Sequence, residues 1–91
     1  MNQSILFPEL QYWDDAHKRV CFIAQSQGMN IKCYISVNKL AELNDFSEQP
    51  SANEAAAMLA LFDAVRFDAE EMAEDLIEAE EFDDFGAVHL G

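Results

Sequence analysis

The side chains able to do chemistry are few, and most have a plainer reading beside the reactive one. Asp15 and His17 lie two residues apart in the polar stretch Asp14-Asp15-Ala16-His17-Lys18. A carboxylate beside an imidazole can act as a general base or as part of a metal site. The plainer reading is a surface histidine in a hairpin turn. His89 stands in a short C-terminal run with no visible partner. Cys21 and Cys33 could form a nucleophile or redox pair, but they match neither a Cys-x-x-Cys motif nor a zinc signature. In apolar segments they read better as small buried hydrophobes. Tyr12, Trp13 and Tyr34 could make a binding platform, or could simply be partly buried sheet aromatics.

The strongest signal is acidic. Nine acidic residues and no basic one fall between Glu70 and Asp84. Glu70, Glu74 and Glu78 stand at i,i+4 steps, as do Glu71 and Asp75. Each like-charge pair costs an isolated helix about 0.2–0.5 kcal/mol. Glu78, Glu80 and Glu81 also fall at the negative end of that helix dipole, where cations would stabilise. One reading is a solvated face that keeps the chain dispersed. The other is a surface for a basic protein partner, with Glu70, Glu71, Glu74, Asp75, Glu78 and Glu81 as its candidate residues. Calcium fits poorly, because the spacing lacks the alternating oxygen ligands and central glycine of an EF-hand loop.

Glycine-rich phosphate loops, nucleophile elbows, His-Glu-x-x-His motifs and basic-aromatic grooves are all missing from the sequence. No catalytic, cofactor-binding or metal-binding residue is assigned. Five Lys and Arg against eighteen Asp and Glu give a net charge of −13. Such a chain repels phosphates and anionic lipid, so neither nucleic acid nor membrane is an expected partner. The start, Met1-Asn2-Gln3-Ser4, lacks the basic n-region of a signal peptide, and the apolar run Ala55 to Phe62 is too short to span a bilayer. A cytoplasmic location with reduced thiols is the expectation.

The elements that must position these residues are legible. The 91 residues suffice for one domain, residues 1–91. Ile5-Leu6-Phe7 is a short apolar run stopped by Pro8, and Leu10 to Trp13 is a second extended stretch. Val20 to Gln25 and Met29 to Ser36 are rich in β-branched and aromatic residues, and Gly28 supplies the positive φ of a hairpin turn between them. A two-residue turn at Gln27-Gly28 pairs Phe22 with Cys33 and gathers Val20, Phe22, Ile31 and Ile35 on one face. A three-residue turn would instead oppose Cys21 and Cys33. The first collects the larger apolar side chains and is preferred.

Ser36 can cap a helix from Val37 to about Asn44. Ser51-Ala52-Asn53-Glu54 reads as a capping box. Beyond it, Met58, Phe62, Val65, Ala69, Met72 and Leu76 form an amphipathic stripe. One helix from Ala52 to about Glu80 would be about 43 Å long, against roughly 31 Å for the whole domain. It must overhang or break, and Asp68 with Glu71 as a fresh cap puts the break at Phe67-Asp68. An overhanging stripe predicts a homodimer. Ala87 to Leu90 is a candidate last strand.

In this order, Ile5-Leu6-Phe7-Pro8, Trp13-Asp14, Val20-Cys21-Phe22, Gly28-Met29, Cys33, Ile35-Ser36, Arg66, Glu71, Ala73-Glu74, Leu76-Ile77 and Asp83-Asp84-Phe85-Gly86 resemble the YrdB-like small bacterial proteins of the DUF1488 family. The resemblance implies a short bacterial cytoplasmic protein and carries no catalytic, cofactor or binding residue with it. The expected fold is α+β: an antiparallel sheet of three to five strands, with two or three helices on one face. The expected function is a small, acidic, non-catalytic interaction module with a basic protein partner. The alternatives are a small enzyme using His17 and Asp15, and an acidic mimic of nucleic-acid charge.

Overall fold

The computed structural model describes residues 5–44 and 55–91. The capping box at residues 51–54 lies outside the described residues. Four strands and three helices follow in the order β1 (Gln11–Asp14), β2 (Arg19–Ser26), β3 (Met29–Ser36), α1 (Val37–Leu43), α2 (Ala55–Ala64), α3 (Arg66–Glu78) and β4 (Val88–Leu90). They form one sheet in the order β1-β2-β3-β4.

The β2–β3 hairpin takes the register that gathers the apolar residues. Phe22 pairs with Cys33, Val20 with Ile35 and Ala24 with Ile31. Gln27 and Gly28 have φ of 53° and 78°, the pair of positive values that a two-residue type I′ turn requires. The β1–β2 turn is organised by Asp14. Its carboxylate accepts hydrogen bonds from the His17 backbone N–H (3.3 Å) and from Arg19 Nε (2.9 Å). Upstream, Leu6 and Gln25 exchange backbone hydrogen bonds of 2.9 and 2.8 Å, which extends the pairing beyond β1.

The sheet is mixed rather than wholly antiparallel. β4 pairs with β3 in parallel, Cys33 with Val88 and Ile35 with Leu90. The expectation of an antiparallel sheet is corrected here. A tight hairpin can only reverse a strand, whereas the helical segment between β3 and β4 carries the chain back to run in β3's direction.

The long helix breaks, but at Val65 rather than at Phe67-Asp68. Val65 has φ −121° and ψ 25° and no side-chain cap, and Asp68 stands in the first turn of α3 rather than capping it. The break keeps the stripe inside the molecule. Met58, Phe62, Val65 and Ala69 are buried, and Met72 and Leu76 pack against the same core. Among the described residues no overhang remains, which removes one of the two grounds for a homodimer and leaves the four-three spacing of the stripe. Ser36 caps α1 as expected, its Oγ accepting from Lys39 N–H at 3.1 Å.

One core serves all these elements. Val20, Phe22, Ala24, Cys33, Ile35, Val88 and Leu90 of the sheet meet Leu40, Met58, Phe62, Ala69, Ala73 and Ile77 of the helices. Phe22 and Phe62 pack at its centre with tilted rings, their centroids 4.9 Å apart. Because side chains alternate along a strand, Tyr12, Arg19, Cys21, Lys32, Tyr34 and His89 point to the opposite face, which no helix of the described residues covers.

Candidate functional site

The acids of α3 are not equivalent. Glu70 is half-buried and committed to Arg66, whose Nε donates to its Oε2 at 2.9 Å. Glu71, Asp75, Glu78 and Glu81 are exposed, Glu74 is partly so, and none of these five makes an ion pair with a described residue. Four of the chain's five cations are engaged with other carboxylates. Lys18 pairs with Asp15, Arg19 with Asp14, Lys39 with Glu42, and Arg66 with Glu70 and Asp63. Lys32 lies on the uncovered sheet face.

The end of α3 adds to this acidic surface. Its last turn contains no basic residue. The Glu81 N–H donates to the Leu76 carbonyl at 2.9 Å and the Glu80 N–H to the Ile77 carbonyl at 3.0 Å. That is a complete Schellman motif, and Glu80 occupies its left-handed position at φ 58°. The chain then turns through Phe82 to Gly86 around Asp83. Asp83 Oδ1 accepts from the backbone N–H groups of Phe85 (2.8 Å) and Ala87 (2.9 Å), and Oδ2 lies 2.7 Å from His89 Nε2. The Ala87 N–H, then His89, then the Phe85 N–H bring the Asp83 carboxyl down to about 2. His89 thus has a partner that sequence adjacency does not reveal, six residues back and delivered by the turn.

His17 does not pair with Asp15. Its Nδ1 lies 3.0 Å from Asp14 Oδ2, while Asp15 accepts from Lys18 Nζ (3.0 Å) and Trp13 Nε1 (3.2 Å). The dyad on which the enzyme alternative rests is not assembled. Asp14 is already shared with Arg19. Burial pushes its carboxyl up, but the Arg19 and His17 hydrogen bonds outweigh this and leave it below the usual carboxylate value.

The uncovered face carries a connected row. Asp14 holds Arg19, whose guanidinium carbon lies 3.6 Å from the Tyr34 ring centroid. The tilted rings of Tyr34 and His89 have centroids 5.2 Å apart, and His89 meets Asp83. Through Arg19, Tyr34, His89 and Asp83 the row borders a cleft of about 530 Å³ that also includes Lys32 and Phe85. It ties β4 across the sheet to the β1–β2 turn. Among the described residues no group of three His, Cys, Asp or Glu is placed to hold a metal.

Both cysteines are free and buried. Cys33 sits in the core, where burial, and after it the neighbouring Cys21, pushes its thiol up to about 12. Cys21 faces the other way, flanked by its cross-strand neighbours Tyr12 and Tyr34, and burial raises its thiol too. Hydrogen bonding to Cys21 leads the effects that push the Tyr12 phenol up to about 12. The platform imagined for Tyr12, Trp13 and Tyr34 does not form as one surface, since Trp13 lies on the helix-covered face of the sheet and Tyr12 and Tyr34 on the other.

Among the described residues, fold and surface define a small α+β domain with one sheet face under helices, the other bare of helices, and acids without ion pairs along the last helix. The chain belongs to the DUF1488 family of proteins of unknown function, whose sequence profile matches residues 5–90. It is similar to the "Uncharacterized protein YrdB" of Escherichia coli (strain K12), 42% identical over 92 residues, with 99% of each chain covered. The protein of the same name from Shigella flexneri is 41% identical over the same span, again with 99% of each chain covered. A crystal structure of a protein of unknown function from the DUF1488 family of Shewanella loihica PV-4 matches with a TM-score of 0.84 at 43% identity, covering 99% of this chain and 94% of that one. None of these names assigns an activity. Among the described residues no helix is long and apolar enough to cross a membrane.

Proposed function

We propose that this protein is a non-catalytic interaction module of the bacterial cytoplasm that receives a basic protein partner on the acidic face of α3. The observation that carries the reading is the lack of internal counter-charge. Glu71, Glu74, Asp75, Glu78 and Glu81 make no ion pair with a described residue, while the cations near them are committed to other carboxylates. In the free protein these acids repel one another along the helix and crowd the negative end of its dipole. A partner bearing Lys and Arg relieves both penalties, so part of its binding energy comes from strain already present. Two free, buried thiols support the cytoplasmic setting.

The test is a calorimetric titration with a synthetic Lys-rich peptide at low and high salt. Binding that weakens with salt and is lost in the triple variant Glu71→Lys, Asp75→Lys, Glu78→Lys supports the reading. These side chains are exposed, so circular dichroism of the variant should be native. Undiminished binding by the variant would remove the acidic face as the receiving surface.

A further inference from the structure

We propose that the basic partner anchors an aromatic or long aliphatic side chain in the groove between the tip of the β2–β3 hairpin and the α3–β4 connection. This rests on the reading above and gives it a docking point. The groove has a volume of about 500 Å³, and its apolar lining is Met29, Ile31, Ile77, Phe82 and Phe85. Phe85 is 94% exposed, Met29 68% and Phe82 41%. Single exposed apolar residues are ordinary on a protein surface. Three large ones bordering one concavity are not scattered, and such a patch with a polar rim marks an interaction site.

The rim selects the occupant. Glu80 lines the groove itself, and Glu78, Glu81 and Asp84 stand exposed within two residues of Glu80 or Phe85. None of them is ion-paired with a described residue. The carbonyl end of α3 points to the same place and favours an arriving cation. An apolar anchor flanked by Lys or Arg satisfies groove and rim together. A second copy of this chain would bring acids against acids with −13 on each side. Nucleic acid and anionic lipid meet the same repulsion. A basic segment of another protein is the occupant that fits.

Calorimetric titration of three synthetic peptides tests this. One is Lys-rich with a single central Phe, the second has Ala in its place, and the third has Glu in place of every Lys. The Phe peptide should bind about tenfold or more tightly than the Ala peptide, the difference expected from burying one large apolar side chain. Phe85→Ser should erase that difference. Phe67→Ser is the matched control, because Phe67 is 83% exposed in the first turn of α3 and does not line the groove. Phe85 packs so little that its replacement leaves the fold intact, which circular dichroism checks. Equal binding of the two Lys peptides, or an equal effect of Phe67→Ser, would overturn the groove while leaving the acidic face standing. Failure of both Lys peptides to bind would remove both readings, and binding of the Glu peptide would reverse the assigned charge.

Discussion

Arg66 Nη2 donates to the Pro8 carbonyl oxygen at 3.2 Å, joining two residues that are 58 apart in the chain. The same guanidinium reaches Gln11 Oε1 at 3.1 Å and Glu70 Oε2 at 2.9 Å. One planar fork thus fastens the start of α3 to the segment entering β1. Hydrogen bonds to a charged group contribute about 1.5–3 kcal/mol, and truncating one partner leaves the others part-buried and unsatisfied. Arg66→Ala should therefore lower unfolding stability by about 2 kcal/mol in a urea titration. Arg66→Lys should recover little, since an ammonium lacks the fork geometry. Full recovery with Lys would mean that charge alone fastens this segment.

Glu80 is held in the left-handed region, which costs a residue with a Cβ roughly 1–2 kcal/mol. Glycine occupies that Schellman position without strain. Glu80→Gly should stabilise the protein by about 1 kcal/mol, partly offset by the greater freedom of the unfolded chain. It should also weaken the binding of a Lys-rich peptide. Thermal unfolding and the peptide titration, run on the same preparation, would show the two effects with opposite signs.

Acid should loosen the turn before β4. The Asp83 carboxyl is brought down to about 2 from its usual 3.8. A carboxylate whose folded pKa is depressed contributes stability that is complete above its unfolded value and is lost as pH falls through its folded one. The window runs from about pH 4 to about pH 2. Amide resonances of Phe85 and Ala87, whose N–H groups donate to Asp83, should shift across it. In Asp83→Asn the same resonances should already be displaced at neutral pH and should titrate less.

The thiols should react at different rates under native conditions. Both are fully buried, so alkylation at neutral pH should be slow for each. Cys33 lies in the shared core and opens only with the molecule as a whole. Cys21 is shielded by side chains of the open face, so local excursions of Tyr12 suffice to expose it. Tyr12→Ala should accelerate labelling of Cys21 and leave Cys33 unchanged, as followed by mass spectrometry of the peptides.

The parts of the fold that depend on local chemistry were readable in the sequence. The Gln27-Gly28 turn needs its left-handed residues, and one register puts the large apolar side chains together, so strand pairing followed from side-chain identity. Ser36 announced its helix. What tertiary packing decides was not readable. Asp68 and Glu71 looked like a fresh cap, but burying Phe62, Val65 and Ala69 together moved the break to Val65. Three residues of β4 carry no signal of direction, so its parallel pairing was hidden. His89 found its acid through a turn rather than through sequence adjacency, and His17 took Asp14 because Asp15 serves Lys18 and Trp13. The acid-rich helix was visible, but the commitment of Glu70 to Arg66 and the groove beside Phe85 were not.

The parallel pairing of β4 with β3 has a consequence in time. β2 and β3 meet through a two-residue turn, a contact that closes in microseconds. Ile35 and Leu90 meet only across the whole helical segment, and bringing such distant residues together costs chain entropy before any contact repays it. The fourth strand should therefore add last, onto a hairpin already braced by its helices. Until it does, the edge of β3 stays open to pairing with another chain, so aggregation during refolding should fall sharply at the moment β4 docks.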